Sequence, residues 1–411
     1  MISLAQLDLA DLPMEQAQFA ENPFPYFAAA RQKHPWLARC SFGYVVHEYG
    51  AIKDLLTMDD CLRGSYDGIV RLMGAQDTPW GRFTEAQMLA HSGESHRRLR
   101  SVLVPKFNPM QANLHRGLMR EVICKLLDEW VPKTGFDFEE FASYFPITVM
   151  CRMIGAPPDA VPAIRKSLEA LGLGFGMDPH HLPQLQQAIV VLDEFVQQLV
   201  SQRRTSHPMA DRTDLLDDLL EARNEGGLTD RELYDVLIFL FVAGYDTSKN
   251  VLTMMMNLLL DRPGIYAQCA ADQAYCHKVV DETLRFISPA TIPRAIARDT
   301  EYRGVRLPEG TMIFFPVSVI GHDPAAFPDP DRFDPDRVRI NRHLAFGRGA
   351  HMCLGQFIAR AQIEEGLHAI AQRIRNPTRA GPSAWRPFYG VWGMRGLPIQ
   401  FDRTPANTTI M

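Results

Sequence analysis

The sequence predicts a mainly α fold with a small β-region, arranged around one long buried helix. Three observations carry that prediction. Apolar residues recur at helical spacing over several long stretches. The longest such stretch, opened by Thr229 and stopped by Pro263, is apolar nearly all round. Strand-like segments are few and short. Of the 411 residues, 46% are hydrophobic and 22% charged, which supplies a large core and an ordinary balance for a globular enzyme. No repeat, low-complexity linker or composition shift divides the chain. A single domain over residues 1–411 is expected, with 1–21 as an irregular N-terminal segment.

In chain order, the N-terminus MISLAQLDLADLPMEQ carries acids where a signal peptide carries lysine or arginine, and it lacks a long apolar core. Gly43 to His47 reads as a strand. Leu118, Met119, Val122, Ile123, Leu126 and Leu127 form the apolar stripe of a helix between Leu114 and Trp130. Leu185, Ile189, Leu192, Phe195 and Leu199 do the same between Pro183 and Arg203. Thr229 and Glu232 make a capping box for the long helix, which at about 1.5 Å per residue would run about 50 Å. Its greasiest run, Val236 to Gly244, is too short to cross a bilayer and leads straight to Asp246. Thr311 to Pro316 reads as a second strand, Asp323 to Arg337 as an irregular meander, and Leu354 to Arg373 as a last helix.

A formal net charge of −5 argues against a dedicated nucleic-acid binder, which needs a basic face. Cysteines stand at 40, 61, 124, 151, 269, 276 and 353, with no C-x-x-C pair and no even framework. Free thiols in a reducing cytoplasm fit that spacing better than disulfides or a zinc cage.

The segment Phe346-Gly347-Arg348-Gly349-Ala350-His351-Met352-Cys353-Leu354-Gly355 is the most informative in the chain. Two glycines one residue apart allow a tight turn and a close backbone approach to a flat group. Cys353 is expected where a helix starts, whose N-terminal N–H groups and dipole favour a thiolate. The G-x-G is not a dinucleotide fingerprint, because position 352 is Met. His351 and Cys353 have no second pair nearby for zinc. Midway along the long helix, Ala243-Gly244-Tyr245-Asp246-Thr247 places an acid and a hydroxyl in apolar surroundings, where both need partners. Either Thr247 bonds back to a carbonyl and Asp246 is paired elsewhere, or the two form a functional pair.

The string F-G-x-G-x-H-x-C-L-G resembles the haem-binding loop of the cytochrome P-450 superfamily, and three further motifs match in the family's order. The resemblance implies a mainly helical fold with the long helix over a haem b (iron protoporphyrin IX). It makes Cys353 the axial metal ligand and Phe346 the shield of its sulfur. A-G-x-D/E-T implies a distorted helix turn in which Asp246 and Thr247 deliver protons during dioxygen activation. H-x-x-x-R implies that His96 and Arg100 clamp the propionates, joined by Arg294 and His351. E-x-x-R, here Glu282 and Arg285, implies a buried network with a meander arginine, matched to Arg332, that fixes the cysteine loop. Lining for the substrate is implied at Ser65 to Leu89, Leu171 to Phe175, Phe239, Val242, Ala243, Ala290 to Ile292 and Tyr389 to Trp392.

The resemblance therefore implies an enzyme that inserts one oxygen atom of dioxygen into a hydrophobic small molecule, of terpenoid, steroid or aromatic type. Arg71 or Arg82 would anchor a substrate carboxylate only if not committed to the surface. No appended flavin or iron–sulfur domain and no membrane anchor are expected. Electrons are therefore expected from a separate ferredoxin or flavodoxin with its reductase, docked on Arg97, Arg98, Lys106, Arg348 and Arg360. Two alternatives stay open: a hydrogen-peroxide-dependent peroxygenase, which does not need the Asp246–Thr247 pair, and a non-catalytic haem-binding sensor.

Overall fold

The computed structural model describes residues 2–206, 214–338 and 340–402. It is 58% helical with a small sheet region, the mainly α architecture the sequence predicts. The expected helices form at Arg116–Trp130, Leu182–Ser206, Asp230–Leu260 and Gln356–Arg373. The Asp230–Leu260 helix, 31 residues long, is the axis of the molecule. Thr229 caps it, with the side chains of Thr229 and Glu232 each bonded to the other's backbone N–H. Its principal partner is the Phe138–Ile154 helix. The two cross closely at Gly244, where a Cβ would stand 2.4 Å from Met150 Cε.

Five short strands form one sheet: β1 (Leu37–Cys40), β2 (Gly43–Val46), β3 (Leu62–Gly64), β4 (Ile292–Ile296) and β5 (Met312–Phe315). Their order is β1-β2-β5-β4-β3, antiparallel except for β2 against β5. Gly64 lies opposite Arg294 in the β3–β4 pairing. A small hairpin near the C-terminus, β6 (Ala384–Trp385) and β7 (Met394–Arg395), carries a loop back over the central helix.

The N-terminal segment departs from the expected irregular tail. Ile2 and Ser3 pair in parallel with Val305 and Arg306, and Ala17–Glu21 is helical. The cause is its own apolar side chains: Leu9, Leu12, Met14 and Phe19 are buried, and burial of that surface holds the segment down. Among the described residues, no helix is long and apolar enough to cross a membrane.

Candidate functional site

The cysteine loop is built by its glycines. Gly347 and Gly349 hold φ of +67° and +72°, backbone that glycine adopts without strain. A Cβ on Gly349 would stand 2.2 Å from the Leu56 carbonyl oxygen, so the position is closed to larger residues. The turn is tied by Met352 N–H to the Gly349 carbonyl at 3.1 Å and by Cys353 N–H to the Phe346 carbonyl at 2.8 Å. The Phe346 ring lies under the Arg360 guanidinium, 5.3 Å from its centroid. Cys353 stands in the turn, because the helix begins only at Gln356. The expected helix start at Cys353 is therefore corrected to Gln356, three residues on. Burial pushes its thiol up, and the Gly355 N–H and Arg100 only partly counter that. Desolvation of the charge outweighs two partial compensations, and a coordinated metal is what deprotonates such a thiol.

Beside this loop four basic side chains converge. The rings of His96 and His351 stack with centroids 3.9 Å apart. His96 Nε2 and His351 Nδ1 are buried without a hydrogen-bond partner. Burial, then neighbouring guanidinium groups, holds His96 down to about 4 and His351 down to about 3. Arg294 is 6% exposed, bonds the Pro293 carbonyl at 2.9 Å, and has no carboxylate paired to it among the described residues. Arg100 donates to the Met352 carbonyl at 2.6 Å. A buried guanidinium without a counter-ion is costly, and so are buried ring nitrogens without a hydrogen-bond partner. The cluster therefore fits a ligand bringing two carboxylates, as the propionates of haem do, with a soft thiol at hand for its iron.

On the central helix, Ala243 is exposed and Val242, Gly244 and Thr247 are half-buried, although residues 236–241 and 248–256 are buried. That face opens on accessible space. The helix is unbroken there, in contrast to the implied distortion. Thr247 donates to the Ala243 carbonyl at 3.0 Å, one turn back. Asp246 takes Arg386 Nη1 on both oxygens, at 2.9 and 2.8 Å, and Lys249 Nζ at 3.2 Å. Lys249, fully buried, also meets Glu139 at 2.7 Å. Both side chains thus have local partners. Sequence reasoning missed Arg386, Lys249 and Glu139. Lys249 is three residues from Asp246 on one helix face and was findable; Arg386, 140 residues away, was not.

The E-x-x-R network is present with a different third member. Arg285 binds Glu282 through Nε at 2.9 Å and Nη2 at 2.8 Å, and donates to the Gly321 and Pro330 carbonyls at 2.7 and 2.8 Å. The meander arginine on Glu282 is Arg337, at 3.4 Å. Arg332 is 70% exposed and pairs with Asp334; its backbone carbonyl, not its guanidinium, joins the network. The irregular meander turns the Arg332 side chain outward while the next turn aims Arg337 in. Spacing alone does not reveal that rotation.

Several of the implied lining segments meet around Phe175. Its ring faces Tyr66 at 6.2 Å, and a Cβ on Gly390 would stand 2.0 Å from Phe175 Cβ. Gly174 abuts Trp80, and Thr291 N–H bonds the Gly390 carbonyl at 2.9 Å. Arg71 pairs with Asp67 and Arg82 with Asp235, both arginines on part-exposed surface. A groove of about 680 Å³, lined by Arg82, Ile189, Val190 and Asp193 among others, lies between the Pro79–Ala86 and Leu182–Ser206 helices, apart from the cysteine loop. The expected basic patch is also thinner than its sequence. Arg98 pairs with Glu232, Lys106 with Asp218 and Arg360 with Asp281, which leaves Arg97 and Arg348 without ion pairs among the described residues.

Comparison with known proteins agrees with this geometry. The cytochrome P-450 family profile matches residues 174–378. Luteothin monooxygenase of Streptomyces thioluteus is 32% identical over 95% of this chain and 97% of its own. Pentalenic acid synthase of Streptomyces avermitilis is 30% identical over 77% of this chain and 78% of its own. The solved structure of a myxobacterial cytochrome P-450 in complex with myristic acid superposes with a TM-score of 0.86 at 25% identity, covering 95% of this chain and 99% of that one. The family implies a haem-iron cofactor, dioxygen and a redox partner. By motif, fold and relatives together, this chain belongs to the cytochrome P-450 family and is an oxidoreductase of that type.

Proposed function

We propose that this chain is a b-type haem monooxygenase that inserts one oxygen atom of dioxygen into a hydrophobic small molecule of terpenoid, steroid or aromatic type. Two electrons come from a separate ferredoxin or flavodoxin with its reductase, and water is released. Haem bound through Cys353 supplies the oxygen-activating chemistry. The chain's own residues do the rest. His96, Arg100, Arg294 and His351 hold the propionates, and Phe346 shields the sulfur. Thr247 holds a proton near the accessible face of the central helix, and Asp246 resupplies it. Tyr66, Phe175, Phe239, Tyr389 and Trp392 exclude water and orient an apolar substrate. The electron donor docks by Arg97 and Arg348. A cytoplasmic location suits the free thiols.

The observation that carries this reading is the convergence beside Cys353 of two histidines with unpartnered buried ring nitrogens and two arginines without carboxylate partners among the described residues, next to walls made of aromatic side chains. The test is spectroscopic. Reduced, haem-loaded protein under carbon monoxide should show the red-shifted Soret band of thiolate ligation, and Cys353→Ala should lose it. A panel of hydrophobic compounds, scored by spin-state change and then by product, identifies the substrate class. Retention of the band in Cys353→Ala would sink the assignment.

A further inference from the structure

The cysteine loop is held from outside by a residue that no motif contains. Asp59 lies in the turn after the Tyr49–Leu55 helix, five residues before Gly64, the strand residue paired with Arg294. Its two carboxylate oxygens each accept from the Ala350 N–H at 3.2 Å. The fit is close, since a Cβ on neighbouring Gly349 would stand 2.9 Å from Asp59 Oδ1 and 2.2 Å from the Leu56 carbonyl. Ala350 immediately precedes His351, whose ring stacks on His96. Three ties therefore set the loop: Asp59 on Ala350 N–H, Arg100 on the Met352 carbonyl, and Phe346 on Cys353 N–H. Two are internal to the motifs, and the Asp59 tie is not.

Asp59 also adds charge where charge is scarce. Burial lowers both His96 and Arg294, and Asp59 is the carboxylate that counters it in both. The basic side of the cysteine loop thus meets a protein carboxylate as well as the two that a haem would bring. Asp60, next in the chain, is engaged with Arg298 and does not compete for the loop.

We infer that Asp59 is a positioning residue for the haem edge: it clips the loop that bears His351 and Cys353, and it supplies a fixed negative charge that favours the ferric over the ferrous state. This rests on the haem reading of the site. A carboxylate accepting a backbone N–H sets the loop in place. A negative charge near a redox centre disfavours addition of an electron by simple Coulomb repulsion, attenuated here because Asp59 is exposed.

Two variants of the full haem-loaded chain separate the two parts. Asp59→Asn keeps an acceptor for Ala350 N–H and removes the charge, so its reduction potential should move in the positive direction while haem retention stays as in the wild type. Asp59→Ala removes both, so the potential should move likewise and haem should pass to apomyoglobin about three- to tenfold faster, the size expected for net loss of one solvent-exposed hydrogen bond. A wild-type potential in Asp59→Asn, or wild-type haem release in Asp59→Ala, overturns the inference. Failure of the wild-type chain to bind haem would instead overturn the haem reading itself.

Discussion

At the scale of single residues, the hydroxyl of Thr247 and the carboxylate of Asp246 are held in different ways, and their variants should fail differently. Thr247 has one bond, to a carbonyl of its own helix. Thr247→Ala should leave substrate binding and electron uptake intact while diverting reductant into hydrogen peroxide. Product per reductant should fall by a factor on the order of a hundred, the lower range for a lost proton donor. Measuring reductant, peroxide and product together checks this, and wild-type coupling would favour the peroxygenase alternative. Asp246 is held by Arg386 and Lys249 in a buried cluster with Glu139. Burial pulls the Arg386 guanidinium down, but Asp246 and Glu139 more than offset it and leave it raised. Arg386→Met should therefore cost about 3 kcal/mol, the lower end for breaking a buried pair, because Asp246 keeps Lys249 as its remaining cationic partner. Adding Asp246→Asn should recover a good part of that loss in denaturant unfolding. Additive losses in the double variant would mean that the pair is not coupled.

At the scale of elements, the meander is where sequence and structure part. Asp323 to Arg337 reads correctly as irregular, yet irregular backbone has no period from which to tell which side chains point inward. Arg337 bonds the Asp329 and Arg332 carbonyls at 2.9 and 2.6 Å and reaches Glu282, while Arg332 lies in solvent. Arg337→Ala should destabilise the haem-loaded protein by about 2–3 kcal/mol, since it removes charge-assisted bonds to several acceptors. Arg332→Ala should stay within about 0.5 kcal/mol, as exposed pairs do. Equal effects from the two variants would reverse this assignment. The helices were legible for the opposite reason. Thr229, Glu232 and Pro263 mark the ends of the central helix with local chemistry that needs no tertiary contact.

At the scale of the whole molecule, buried neutral histidines set the acid limit. His47 is fully buried with neither ring nitrogen partnered, and burial followed by Arg31 holds it down to about 4. Below its ordinary value of about 6.5, the unfolded chain takes up a proton that the native chain refuses until about pH 4. Stability from this group is therefore complete above about 6.5 and lost as pH falls through that window. His96 and His351 act in the same direction, but bound propionates would give their protonated forms a counter-ion. In the haem-loaded protein His47 should dominate. His47→Leu should retain, at about pH 4, about 3 kcal/mol that the wild type loses relative to about pH 7. Parallel pH–Tm curves for the two proteins would contradict this.

By itself the sequence determined the helical class, the ends of the central helix, and the loop of Phe346, His351 and Cys353. Each depends on neighbours within a few residues, through periodicity, capping and glycine backbone. Only the tertiary structure decided which distant charges meet. Arg386 reaches Asp246 across 140 residues, Arg337 rather than Arg332 reaches Glu282, and Asp59 reaches Ala350 across 291. Ion pairs and single hydrogen bonds between remote segments leave no periodic trace, because their partners are fixed by how the elements pack and not by the chain between them.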